Sequence, residues 1–321
     1  MLSEFDLIAR YFKRPLPAGS RTALGIGDDC ALLAPSPGMQ LAISCDMLVE
    51  GRHFFPDVDV ASLGHKSLAV NLSDLAAMGA QPLAFTLALS LPSANEAWLA
   101  SFSDGLFALA EQFSCPLIGG DTTRGPLNIC ITVLGEVPLV QALRRSAACV
   151  GDDIWVSGSL GEARLALAAH LNEIELEAPA MQQADARLLR PTPRVLLGTA
   201  LRGIARAAID ISDGLCGDLG HILEQAKVGA TVNVDAVPTG PALQGQSLER
   251  RRHYTLAGGD DYELCFTAPA SARNEVLAAS AAAATPVTRI GVIDNAPGLR
   301  LQDANAQPVT SVLNSFDHFK K

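Results

Sequence analysis

Nine aspartates in this chain stand, singly or in pairs, beside glycine or serine. They occur in Gly25-Ile26-Gly27-Asp28-Asp29-Cys30, Ser44-Cys45-Asp46, Asn71-Leu72-Ser73-Asp74, Gly119-Gly120-Asp121-Thr122, Asp210-Ile211-Ser212-Asp213-Gly214 and Gly258-Gly259-Asp260-Asp261. An ionised aspartate is short and only accepts hydrogen bonds, and a glycine turn lets the backbone approach a ligand closely. The combination suits hard, oxygen-ligated cations such as Mg2+. Any one cluster is also what turns and helix N-caps use. Six of them, most following an apolar strand-like run, read together as a site for several Mg2+ ions.

The elements that must position these groups follow from periodicity. Residues 82–91 and 127–135 read as strands. Between them Trp98, Phe102, Leu106, Leu109 and Phe113 recur every three or four residues, one face of an amphipathic helix that Ser93 or Asn95 caps. Upstream, residues 63–78 read as a helix that places Ser67, Asn71 and Asp74 on one face, so that Asp74 can point into a cleft. Around residues 137–153 the periodicity lapses, and a boundary is expected there, with domains 1–140 and 141–321. The second half reads as strands near 154–156, 207–211, 262–267 and 287–293. Helices are expected from Gly161, from Pro193, over 215–226 and over an alanine-rich run ending at Ala284.

Length and charge narrow the function. A chain of 321 residues, 49% hydrophobic and 18% charged, is long enough for two domains with proper cores. Its net charge of −10, with only five lysines, argues against nucleic acid as a partner. An acidic pocket binds a phosphate only if divalent cations reverse the local field. No apolar run reaches membrane-spanning length, and the first residues lack the pattern of a secretory signal. Seven scattered cysteines, none spaced Cys-x-x-Cys, fit neither a disulfide frame nor a zinc site, and a cytoplasmic setting is expected.

Two common phosphate-handling signatures are missing. No lysine follows a glycine as in a Walker A loop, and neither His-Arg-Asp nor Asp-Phe-Gly occurs. Gly25-Ile26-Gly27 runs on as Asp-Asp-Cys and so departs from the dinucleotide fingerprint. Five stretches do resemble a family: residues 25–31, 71–80, 119–123, 210–215 and 260–264 are similar, in order, to the motifs of the thiamine-monophosphate kinases. That family lies within the aminoimidazole ribonucleotide synthetase superfamily.

The resemblance implies a two-domain α/β (α+β) fold, with an N-terminal mixed sheet forming a barrel across a homodimer and a C-terminal α/β domain. It implies ATP-dependent phosphorylation of thiamine monophosphate to thiamine diphosphate, by direct transfer assisted by several Mg2+ ions. By motif position, Asp29, Ser44, Cys45, Asp46, Asp74, Asp121, Asp210 and Asp213 would bind metal. Asp46, Asp74, Asp121 and Asp210 would carry catalysis through it. Gly120, Asp121, Arg145 and Ser212 match ATP-contacting positions, and His53, Asp260 and Phe316 match substrate-contacting ones.

Lys66 could reach a phosphate, although an exposed helix lysine is the plainer reading. Two positions depart from the family pattern. Threonine or serine is common where this chain has Cys45, and glutamate where it has Asp260. A thiol suits Mg2+ poorly, so Cys45 would offer its backbone carbonyl. Sister ATP-using enzymes of the superfamily, or a non-catalytic nucleotide or cation binder, are the alternatives.

Overall fold

The computed structural model describes residues 3–310. They form two compact units, one of residues up to Leu75 together with Ala80–Val140, the other of Ala76–Gly79 and the residues from Gln141 on.

In the first unit a short helix, α1 (Glu4–Leu7), runs into a π turn, Ile8–Phe12. Ser3 starts it through a capping box with Asp6, each side chain bonding the other's backbone N–H. A two-stranded ribbon follows, β1 (Thr22–Leu24) and β2 (Leu32–Leu33). Then come β3 (Met39–Val49), α2 (Val60–Ala77), β4 (Gln81–Leu91), α3 (Glu96–Gln112), β5 (Leu117–Arg124) and β6 (Asn128–Pro138).

The main sheet has the order β3-β6-β4-β5, with β4 and β5 parallel and the other pairs antiparallel. Asn95 is the residue that caps α3, accepting from the N–H groups of Ala97 and Trp98. Leu68, Leu72 and Leu75 of α2 and Leu99, Phe102 and Leu106 of α3 are buried with Phe85, Ile129 and Ile131 of the sheet. Gly64 and Gly105 bring the two helices backbone to backbone, since a Cβ at either would strike the facing main chain. The other sheet face is less covered. On β3, Leu41, Ile43, Cys45 and Met47 alternate outward, and Ile43 is 63% exposed.

The sequence reading joins the strands at 82–91 and 127–135 through one helix, and here it is corrected. Residues 117–124 form β5, the strand that completes the parallel β4-α3-β5 crossover. Gly119-Gly120-Asp121 interrupts the apolar run and so resembles a loop, yet these residues pair with Thr86, Leu87 and Ala88.

The second unit contains β7 (Asp152–Ser157), α4 (Glu162–His170), α5 (Ala178–Leu189), α6 (Val195–Ala200), β8 (Ala207–Asp210), α7 (Leu215–Ala226) and β9 (Gly229–Asn233). It continues through α8 (Pro241–Gln244), α9 (Leu248–Ala257), β10 (Leu264–Pro269), α10 (Arg273–Ala282), β11 (Val287–Asp294) and β12 (Gly298–Gln302). The sheet order is β12-β9-β11-β7-β10-β8, and every pair but β12 with β9 is antiparallel. Of the two class terms, α+β suits this unit better, because antiparallel neighbours need no crossover helix.

One buried cluster joins α7 to the sheet through Ile154, Ile209, Leu219 and Ile222. A second lies under α4 and α5, around Leu165, Leu188 and Leu243. Trp155 and Phe266, cross-strand partners on β7 and β10, stack with centroids 6.4 Å apart.

Candidate active site

In the first unit the sheet and α2 bring three expected residues together. Ser44 and Asp46 share one face of β3 because side chains alternate along a strand. Asp74 comes from α2, where its carboxylate accepts a short hydrogen bond from the Ser44 hydroxyl. One turn earlier on the same helix, Asn71 accepts the Asp46 N–H at 3.1 Å. β3 is an edge strand, so this outward N–H finds its acceptor on the helix.

Burial first, and then the Asp74 charge, push the Asp46 carboxyl up to about 6. Two carboxylates pressed together in a half-buried place are what a divalent cation would relieve. With the Ser44 hydroxyl the group offers only oxygen donors, so its chemistry fits Mg2+.

Asp29, Gly120 and Asp121 gather elsewhere in the same unit. They line a pocket of about 900 Å3 whose floor includes Leu87, Leu117 and Ile118. Gly120 sits at φ 143°, and a Cβ there would collide with the Leu87 main chain, so only glycine fits this bend of β5. His53 follows β3, and its Nδ1 accepts the Val49 N–H at 3.0 Å, which folds the ring back on the strand end.

In the second unit Asp210 ends β8 opposite Leu264 of β10, so the turns at one end of these two strands meet. Ser212-Asp213-Gly214 leads into α7. The Asp260 N–H donates to the Ser212 carbonyl and the Tyr262 N–H to the Ile211 carbonyl, both at 2.9 Å. Asp260 and Tyr262 both hold the left-handed conformation, at φ 66° and 50°, a cost that clusters at functional loops. Between them Asp261 is buried, with both carboxylate oxygens 3.0 Å from the Gly161 N–H. Burial drives its pKa well up.

Next in sequence, Glu263 is fully buried. It accepts from Arg187 at 2.6 Å, from Arg194 through two contacts, and from the Ser157 hydroxyl at 2.5 Å. Arg145 is exposed on a 3-10 turn that packs against α7 and β8. Phe316 lies outside the described residues.

Among the described residues, no three His, Cys, Asp or Glu side chains converge on one point. Within the first unit Asp46 stands with Asp74 and Ser44, and Asp29 lines one pocket with Asp121; within the second, Asp210 ends β8 and Asp213 lies on the turn that follows it.

The amino-acid sequence matches the model for AIR synthase related protein, N-terminal domain, over residues 27–137, and that for the C-terminal domain over residues 150–304. It is 48% identical to a thiamine-monophosphate kinase of Salmonella typhimurium over 327 aligned positions, covering 98% of each chain. The chain belongs to the thiamine-monophosphate kinase family.

Solved structures of the family agree. The thiamine-monophosphate kinase of Stenotrophomonas maltophilia superimposes with a TM-score of 0.84 at 48% identity, over 88% of this chain and 92% of that one. AaThiL complexed with AMPPCP and TMP gives 0.78 at 28% identity, over 89% of each.

One feature of this family member differs from the plain reading of its sequence. Lys66 is not an exposed helix lysine: it is 3% exposed within α2, and the apolar faces beside it explain why spacing alone misjudges it. Cys45 turns its thiol to the sheet face opposite Ser44 and Asp46, where its Sγ lies 3.4 Å from that of Cys130. Only the Cys45 main chain is left on the side of the carboxylates, as suits a position where a thiol replaces an oxygen donor. Burial above all, then Cys45, raises the Cys130 thiol to about 11.

One group that spacing did not single out is Asp218, in the first turn of α7 and buried. Its Oδ2 accepts the N–H groups of Ser212, Asp213 and Gly214, each at 3.1 Å. Burial and the neighbouring Asp213 raise its carboxyl to about 7 against the pull of those three bonds. The sequence signal was an aspartate four residues beyond a Ser-Asp-Gly turn, placed to reach back over a helix start.

Proposed function

We propose that this chain transfers the γ-phosphoryl group of ATP directly to the phosphate of thiamine monophosphate, yielding thiamine diphosphate and ADP. The 48% identity spanning 98% of a thiamine-monophosphate kinase carries this reading. A related protein complexed with AMPPCP and TMP supports it, since such ligands suit both substrates.

The chemistry asks little of the side chains as acids or bases. A phosphate monoester has a second pKa near ~6, so the attacking oxygen is mostly dianionic at neutral pH without a general base. That oxygen forms the new bond to the γ phosphorus as the bond to the β–γ bridging oxygen breaks, and ADP departs with the electron pair. Mg2+ would screen the two anions and the charge that develops between them.

Ser44, Asp46 and Asp74 would hold Mg2+ in the first unit, with Asp46 and Asp74 each bridging more than one ion. Asp29, Asp121, Asp210 and Asp213, with the Cys45 carbonyl, would complete the ligand set. Gly120, Asp121, Arg145 and Ser212 would contact ATP. His53, Asp260 and Phe316 would contact thiamine monophosphate, whose cationic thiazolium suits a carboxylate and an aromatic face. At Asp260 the side chain is one methylene shorter than the family's usual glutamate, which favours a looser or water-bridged contact.

We also infer a homodimer in which the N-terminal sheets face one another as a barrel. The row Leu41, Ile43 and Met47 supports this, because an apolar sheet face needs covering. A cytoplasmic setting belongs to the same reading, supported by seven scattered cysteines with no Cys-x-x-Cys spacing.

Chromatography of thiamine monophosphate incubated with ATP and Mg2+ tests the activity, against controls lacking each component. Matched formation of thiamine diphosphate and ADP is expected. Folded protein that binds ATP yet forms no diphosphate would transfer the assignment to a sister ATP-dependent enzyme.

A further inference from the structure

The Ser212–Gly214 turn is gripped on both of its hydrogen-bonding sides. Its three successive N–H groups converge on one oxygen of Asp218, at equal distances of 3.1 Å. Two carbonyls, of Ile211 and Ser212, are taken by the Tyr262 and Asp260 N–H groups. Gly259 permits the second contact, since a Cβ there would collide with the Ser212 carbonyl.

Three consecutive amides at the start of a helix form a nest that attracts an anion. Here the protein fills the nest itself, because Asp218 is 3% exposed and its Oδ2 accepts all three N–H groups. A nucleotide phosphate therefore does not dock on these amides directly. What the turn presents outward is the pair of side chains on it, Ser212 and Asp213, whose direction depends on main-chain torsions fixed by the Asp218 carboxylate.

We propose that Asp218 is a positioning residue of the kinase, holding the Ser212–Gly214 turn in the shape that presents Ser212 to the nucleotide and Asp213 to Mg2+. This rests on the phosphotransfer reading above. Asp218 touches neither substrate nor metal and acts through the turn. An internal carboxyl oxygen is suited to this task because it accepts several N–H bonds at once and fills the space a competing phosphate would need.

The test compares wild type with Asp218→Ala, which removes the acceptor, and Asp218→Asn, which keeps one. Hydrogen exchange at amides 212–214 in metal-free protein reads the turn itself. Activity titrated with Mg2+ and with ATP separates half-saturation from kcat. Asp218→Ala should speed exchange at these amides and raise half-saturating Mg2+ about tenfold or more, as loss of a ligand's supporting partner does. Its kcat at saturating Mg2+ should stay within about threefold, and Asp218→Asn should recover most of both losses.

Unchanged exchange and Mg2+ dependence in Asp218→Ala overturns the proposal, and so does a loss of thermal stability with Mg2+ half-saturation unmoved. If Asp218→Ala does not fold, Asp218→Glu takes its place with the same criteria, because a longer side chain displaces the acceptor while retaining charge. Wild-type protein inactive on thiamine monophosphate would count against the kinase reading instead, while the exchange comparison would still decide whether Asp218 shapes the turn.

Discussion

Replacing Asp74 by asparagine probes the carboxylate pair where it is most sensitive. In the metal-free fold, burial and then the Asp74 charge raise the Asp46 carboxyl to about 6. An unfolded aspartate titrates near ~3.9, so the folded chain holds this proton more tightly than the unfolded chain does. Stability should therefore be greatest below pH ~4 for this group and fall as pH rises to about 6. The whole difference is about 3 kcal/mol, an order-of-magnitude figure that applies in full above pH ~6.

Mg2+ bound between the carboxylates would remove that penalty, so the rise in melting temperature on adding Mg2+ should be larger near pH ~7.5 than near pH ~5, where protons compete. Asp74→Asn keeps an acceptor for Ser44 but removes one charge. Because burial outweighs the Asp74 charge as a cause, the metal-free variant should gain only about 1 kcal/mol at neutral pH. Its response to Mg2+ should nearly vanish, and its turnover should fall about 100-fold or more. Scanning fluorimetry across pH with EDTA or Mg2+, followed by the chromatographic assay, measures both. An equal Mg2+ response at the two pH values, or wild-type turnover in Asp74→Asn, would refute the reasoning.

Two further outcomes are expected. Glu263→Gln strips the charge from a carboxylate shared by Arg187 and Arg194, and urea unfolding should report a loss of about 3–5 kcal/mol, as for a broken buried ion pair; a change below about 1 kcal/mol would mean that the arginines find other acceptors. Ile43→Lys places a charge in the exposed apolar row of β3, and light scattering should find a monomer that remains folded; an intact dimer would move the interface to another surface.

Much of this architecture was legible in the sequence, for reasons that differ by element. α7 spans the expected residues 215–226, since a Ser-Asp-Gly turn starts it and a strong apolar period sustains it. α3 was likewise set by its period and the Asn95 cap, whereas α2, expected from residue 63, starts at Val60. By contrast, β5 was hidden by its own glycines, which reflect a close approach to β4 and imitate a loop. β9 and β12 are five residues each and carry no clean alternation, so their pairing is decided by tertiary contacts.

At the site, helix spacing set Asp74 on one face with Ser67 and Asn71, and the structure adds the strand residue it meets, Ser44. Asp218 escaped notice, and Asp261 was read only as half of a glycine-flanked pair, because their work is to hold main-chain N–H groups. Such a role depends on loops meeting in space, Gly161 and Asp261 being 100 residues apart. The depth of Lys66 was likewise set by neighbours remote in sequence.

The setting of Glu263 bears on how this enzyme can be studied. Its carboxylate is out of reach of dissolved ions, whereas a pair such as Arg10 with Glu96 is more than half exposed on both partners. Added electrolyte weakens the exposed kind and leaves the enclosed kind nearly untouched. Varying ionic strength at fixed free Mg2+ should therefore alter how the polyanionic substrates are captured while sparing the scaffold of the second unit. A kinetic change seen on raising the salt would then report on encounter between enzyme and nucleotide, and not on loosening of the protein.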